Sequence, residues 1–267
     1  MANHEYPQLL KNYLLFCECK RKHQDTGKLS LDAQFIFPTT LLPLLIHMRK
    51  AHATLHTPNS NLAGYINYMI ENTDKPVLGK SYLPLVRLPQ DIKMVDSTLQ
   101  PLYHLLDNSA MLKVNLDAYR YLMFELIDNI YQHSEFKYAY TMAQYYRNQG
   151  FVELGFLDDG ITIAGSFNKN MKANFTDRNN WEAIDQATKG ATSKGGEQRG
   201  YGLSSSISIA KALGGDVLIV SGYGAIYINP GLRQPYLLHK AHHLRGTLIS
   251  LRIPLNSPRI DIYRYLQ

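Results

Sequence analysis

Cysteine is nearly absent from this chain: Cys17 and Cys19 are the two such residues in 267. They stand too close together for an ordinary disulfide framework, which excludes the small disulfide-stapled folds and fits a reduced, cytoplasmic compartment. With His23 they offer half of a metal site, but no second ligand pair follows, so two cysteines near the end of an N-terminal helix is the plain reading. No window has the apolar length needed to cross a bilayer. The opening MANHEYPQLLKNYLLFCECKRKH has too short an apolar run for a signal peptide, and acids and a proline interrupt it. Dense Lys/Arg runs and RNA-binding motifs are missing as well. A formal charge of +6 permits an anionic ligand without implying a nucleic-acid partner.

What is present is an ordinary globular balance, 45% hydrophobic and 19% charged, with neither an internal repeat nor a low-complexity linker. To about residue 112 the chain alternates strand-like and helix-like segments. KLSLDAQFIFP ends in a β-prone run. TTLLPLLIHMRKAHA has helical apolar spacing, with Thr39 or Thr40 as cap, and NLAGYINYMIEN is a short helix with Asn61 as cap. YLPLVRLP is a short strand between prolines. From Asn115 a long helix, NLDAYRYLMFELIDNIYQHSE, precedes two β-rich runs separated by Asn148-Gln149-Gly150, a hairpin signal. Residues 164 to 200 are polar and weakly periodic, with a helical turn or two around NNWEAIDQATKG; a loop of that length is usually functional. GLSSSISIAKALGG is a helix closed by two glycines, and DVLIVSG, YGAIYIN and GTLISLRIP complete the strands.

Four features carry chemistry. On the long helix Glu125, Asn129 and His133 lie at roughly 0°, 40° and 80°, bordering an apolar stripe of Tyr119, Met123, Leu126 and Ile130 centred near roughly 130°. Polar groups there need partners, or they cost stability. In ELGFLDDGITI, Asp158 ends a strand where an acid can accept from a ligand amine, and Gly160 lets backbone approach closely; by themselves these residues also make a plain turn. Gly200-Tyr201-Gly202 opens a helix whose free N–H groups suit phosphate, though the spacing matches neither a P-loop nor a dinucleotide fingerprint. Gly246-Thr247 leads the last strand. His239, His242 and His243 are read as a solvated loop rather than metal ligands.

The order of these features resembles the ATP-binding domain of the GHKL superfamily, shared by type II topoisomerases, the large heat-shock chaperone, histidine kinases and mismatch-repair ATPases. The resemblance spans Asn115 to Pro254 and is closest in style to the histidine-kinase-like and anti-sigma-factor ATPases. It implies an α+β fold: residues 113–267 as a Bergerat-type α/β sandwich with a mixed sheet, preceded at 1–112 by a smaller α/β module. That first part also resembles, loosely, a STAS domain; a generic α/β decoration is the equal alternative. The resemblance assigns Asn129 to magnesium and Glu125 to activating water, or to serving as base in a kinase. His133 falls near the phosphates. Asp158 and Gly160 would meet adenine, supported by Thr247; Gly200, Tyr201, Gly202 and Leu203 would meet the phosphates. Residues about 165 to 199 would form a lid, with Thr192, Ser193 and Lys194 toward the γ-phosphate. One departure is Thr162, where the family has a second glycine. The expected function is magnesium-dependent ATP binding by a regulatory protein that hydrolyses ATP slowly or phosphorylates a partner protein on serine or threonine. The alternative, which Thr162 supports, is a catalytically silent nucleotide-binding module that switches its partner through lid closure. Homodimers are frequent in the family; a membrane is not expected, and nucleic acid is disfavoured.

Overall fold

In the computed structural model, which describes residues 6–73, 82–108, 112–191 and 202–266, seven strands make one sheet. The chain runs through helices α1 (Gln8–Thr26), α2 (Pro38–Ala51) and α3 (Ser60–Glu71) before strand β1 (Tyr82–Arg87). Helices α4 (Val95–Asn108) and α5 (Leu116–His133) lead to the hairpin of β2 (Ala139–Tyr146) and β3 (Phe151–Asp158). After α6 (Ile163–Met171), α7 (Asn180–Thr188) and α8 (Gly202–Ala212) come β4 (Asp216–Gly222), β5 (Gly224–Ile228), β6 (Arg233–Leu237) and β7 (Leu244–Pro254). The strand order is β1-β2-β3-β7-β4-β5-β6. Every pairing among these strands is antiparallel, where a mixed sheet was expected. Short turns join β2 to β3, β4 to β5 and β5 to β6, and β7 enters between β3 and β4 antiparallel to both, so no parallel crossover arises.

The central strands are buried on both faces, which is why they read as apolar runs without clean alternation. Val152, Leu154 and Phe156 face a core with α4, α5 and α8. Leu157, Tyr140, Met142, Leu218 and Val220 face a second core with α1, α2 and α3. Residues 1–112 therefore do not carry a sheet of their own among the described residues: their one strand is the sheet's edge, and their first three helices cover its second face. KLSLDAQFIFP is extended but makes only one bridge, Ser30 to His56, before Pro38 opens α2.

Polar contacts pin this second layer. Glu153, fully buried on β3, accepts from the Thr39 backbone N–H at 3.1 Å and from Thr39 Oγ1 at 2.6 Å. Arg252 Nη2 donates to its other oxygen at 2.8 Å. The carboxylate thus caps α2 from the sheet, a role the local sequence assigned to Thr39 or Thr40. Asn59, not Asn61, caps α3 by accepting from Leu62 N at 3.1 Å. Tyr13 and Lys20 of α1 donate to the carbonyls of His242 and His243, which explains why that histidine-rich turn is ordered. Cys17 and Cys19 are buried free thiols on α1, and no metal-binding cluster forms among the described residues. No helix among the described residues is long and apolar enough to cross a membrane.

Replacing Glu153 by leucine leaves the Arg252 guanidinium and the start of α2 unpaired in the core. Breaking a buried pair typically costs about 3–5 kcal/mol. We expect the midpoint of urea denaturation to fall accordingly, while Thr39→Val, which spares the ion pair, costs about 1 kcal/mol.

Candidate functional site

A cavity of about 710 Å³ opens on the α5 face of the sheet, bounded by α5, the starts of α6 and α8, and the ends of β3 and β7. Its position follows from strand register. Asp158 pairs with Thr247 and Phe156 with Ile249, so the acid and the threonine lie side by side at one end of the sheet. Alternation along β3 sends Asp158 to the same face as Phe156, toward α5.

The floor is apolar with one acid. Phe156, Ile249, Ile130, Ile161, Ile163 and Phe167 surround Asp158, which is 2% exposed. Burial pushes its carboxyl up to about 8, with help from the charge of Asp159 and against the hydrogen bond from Gly160 N–H. Thr247 Oγ1 and Ser221 Oγ lie 3.0 Å apart; Ser221 also accepts from Ile163 N–H at 2.9 Å and donates to Gly246 O. Ser221 faces Thr247 across the β4–β7 ladder, a pairing that no local motif reveals.

The other wall is polar. Glu125, Asp128, Asn129, Gln132 and His133 line it from α5, facing Gly202, Leu203 and Ser205 at the start of α8. Asn129 Nδ2 donates to the Glu125 backbone carbonyl at 2.8 Å, which commits the amide's donor side to the helix and turns its oxygen into the available ligand. Burial raises the Glu125 carboxyl above the ordinary range, and Asp128 adds to this, while a hydrogen bond from Tyr121 opposes it. Gly202 leaves room for the Glu125 carboxylate: a Cβ on it would come within 2.3 Å of Glu125 Oε2, which would have to swing aside.

Seven of the predicted residues, Glu125, Asn129, His133, Asp158, Gly202, Leu203 and Thr247, line this one cavity. Gly160 does not. Its Cα packs against α5's end, where a Cβ would meet Ser134 O at 1.8 Å, so its close approach serves the chain's own backbone. Ile161 N–H then donates to the same carbonyl at 2.6 Å. Thr162 caps α6 by accepting from Gly165 N–H at 3.0 Å. The described part of the expected lid, to residue 191, is largely helical: α6 and α7 pack on each other, and Asn180 Oδ1 accepts from Tyr223 N–H at 2.8 Å. Lys194, Gly200 and Tyr201, with Thr192 and Ser193, lie outside the described residues. Tyr121, Asp128 and Ser205 also line the cavity, and Ser221 backs Thr247; none of these was read from the sequence.

Chemically, this is an apolar slot with a buried acid at its base and a row of oxygens and nitrogens facing a helix N-terminus. The described lining carries Glu125, Asp128 and Asp158 but neither lysine nor arginine. No trio of His, Cys, Asp or Glu gathers among the described residues to hold a metal alone. That donor set fits a hard ion such as magnesium, which keeps water and takes phosphate oxygens beside one or two protein ligands. Comparison with known proteins finds no matching family model, no matching curated protein and no matching solved structure.

Asp158 carries a pH signature. An unfolded aspartate titrates near about 3.9. Between that value and about 8 the unfolded chain has lost a proton that the folded state keeps, so native stability falls as pH rises through this window. We expect Asp158→Asn to raise stability at pH 8 by at least about 1 kcal/mol and to change little at pH 3, read by thermal denaturation. Gly160→Ala should do the reverse at every pH, losing about 1–3 kcal/mol to overpacking against Ser134.

Proposed function

We propose that this chain is a magnesium-dependent ATP-binding regulatory protein of the GHKL type, with slow hydrolysis or phosphotransfer to serine or threonine of a partner protein. One observation carries the reading: an acid-floored apolar slot and the Glu125–Asn129–His133 row share one cavity, although they come from separate segments. A flat purine suits the slot, whose volume of about 710 Å³ is in the range of small-molecule sites. Its exocyclic amine meets Asp158, with Thr247 and Ser221 beside it. The phosphates extend toward Gly202 and Leu203, where the helix N-terminus favours negative charge.

Magnesium, held by the Asn129 carboxamide oxygen and the phosphates, would offset the charge of the triphosphate beside Glu125 and Asp128. Glu125 takes the proton as the oxygen of water, or of a partner's hydroxyl, bonds to the γ-phosphorus and the bridging oxygen leaves with ADP. Its raised affinity for protons brings it nearer the operating pH, which favours a general base. Tyr121 donates to Glu125 and orients it. A cytoplasmic location and a protein partner belong to the same proposal, and closure of the expected lid, residues about 165 to 199, over the nucleotide is the means by which binding would alter a partner surface.

Incubation with γ-labelled ATP tests this. We expect Glu125→Gln to bind ATP within about threefold of the parent while turnover falls at least about a hundredfold. Asn129→Ala should lose the magnesium dependence of binding in isothermal titration. Binding without free phosphate or a labelled partner favours the silent module, and no binding at millimolar ATP with magnesium overturns the proposal.

A further inference from the structure

Two adjacent acids end β3, and they diverge. Asp158 enters the cavity on the α5 face. Asp159, 5% exposed, turns to the other side of the sheet, where Lys50 of α2 reaches its Oδ2 at 2.6 Å. Asp159 Oδ1 accepts from the backbone N–H groups of Lys137 and Tyr138 at 2.9 and 2.7 Å, and its own N–H donates to Tyr138 O. The turn that carries Asp158 is therefore tied on one side to Ser134 through Gly160 and Ile161, and on the other to the lead-in of β2 and to α2.

We propose that Lys50 is a positioning residue for the nucleotide's base: through Asp159 it holds the β3–α6 turn in the shape that presents Asp158 to the cavity. The inference rests on the functional reading above and adds its regulation. Lys50 sits near the end of α2, one of the helices covering the sheet's second face, and touches nothing in the cavity. A partner or a repacking that shifts α2 thus reaches the base-binding acid without entering the site.

Charge works in the same direction. Burial pushes Asp159 up, but the bond to Lys50 and the two backbone donors outweigh it and hold the carboxyl below the ordinary range. The two charged groups that act on Asp158 are Asp159, which raises its affinity for protons, and Lys50, which lowers it. Glu125, Asp128 and His133 face the same cavity from α5, and Lys137 precedes β2. Without Lys50 the Asp158 carboxyl keeps its proton to higher pH; because Gly160 N–H already takes Oδ1, the proton falls on Oδ2, the oxygen left to accept from the base amine.

The test uses the full chain and a fluorescent ATP analogue with magnesium. Lys50→Met should weaken binding about tenfold at pH 7, the equivalent of one pH unit of protonation. Its binding profile should move to higher pH, with turnover at saturating ATP unchanged within about twofold. Lys50→Arg should restore affinity. Carbon-13 titration of the Asp158 carboxyl without nucleotide gives a second readout, in which the midpoint rises in Lys50→Met. A moved midpoint in a protein that binds no nucleotide removes the functional reading and leaves the hold of Lys50 on Asp158 standing. Unchanged affinity in a chain that does bind ATP, or an unmoved midpoint, overturns the inference.

Discussion

The antiparallel pairing of β3 with β7 is the constraint on which the rest depends. It sets Asp158 beside Thr247 at one end and Phe151 beside Pro254 at the other. Because side chains alternate, a slip of one residue would exchange the two faces along the whole strand. Glu153 would then enter the apolar core with α5, and Asp158 would leave the cavity. The register is held from both sides. Val152, Leu154 and Phe156 belong to one core and Leu157 to the other, while Glu153 fits only where Thr39 and Arg252 meet it. The second helical layer is thus part of what positions the site, although it contributes nothing to the cavity's lining.

The same register explains a local conflict. A sheet end covered on both faces is a costly place for carboxylates. Asp159 resolves the cost with Lys50 and two backbone donors. Asp158 resolves it only in part, with the Gly160 N–H at 2.9 Å, and keeps its proton into the neutral range. A group that the fold seats against its own solvation, at the base of an open cavity, is a common sign of recognition rather than of architecture.

Legibility in the sequence divides by range. The α5 row was readable because Glu125, Asn129 and His133 repeat with the helix beside a stripe of their own element. The hairpin at Gly150 and the helix ended by Gly214 were readable from turn chemistry, and both glycines have positive φ. Three things were not. α4 has Val95, Leu99, Leu102 and Leu106 at helical spacing but carries Pro101 among them, and β6, partly exposed at the sheet edge, carries a proline too. α6 lies in a polar stretch of weak periodicity, and α7, read only as a helical turn or two around NNWEAIDQATKG, has no side-chain cap and is tied down by the tertiary Asn180–Tyr223 contact. The cap of α2 comes from Glu153, more than a hundred residues away, so no local reading of Thr39 could find it. Gly160 is a place of close approach, and the backbone it approaches is that of Ser134, a partner that residue type alone does not encode.

The charge distribution of the cavity has a consequence for how a triphosphate could be accepted there. Its described lining holds three carboxyls and no lysine or arginine, so on the proposed reading those described residues alone would offer a triphosphate no side-chain cation. The anion meets Glu125 and Asp128, and a cation meets too few ligands. On the proposed reading each would supply what the other lacks, the phosphates giving oxygens to the ion and the ion offsetting the acids, so binding of the two would be coupled. The helix N-terminus at Gly202 contributes partial positive charge but cannot replace a divalent ion. Such a site would discriminate against free nucleotide as well as free metal, and the ionisation of its buried acids would be a lever on it from outside.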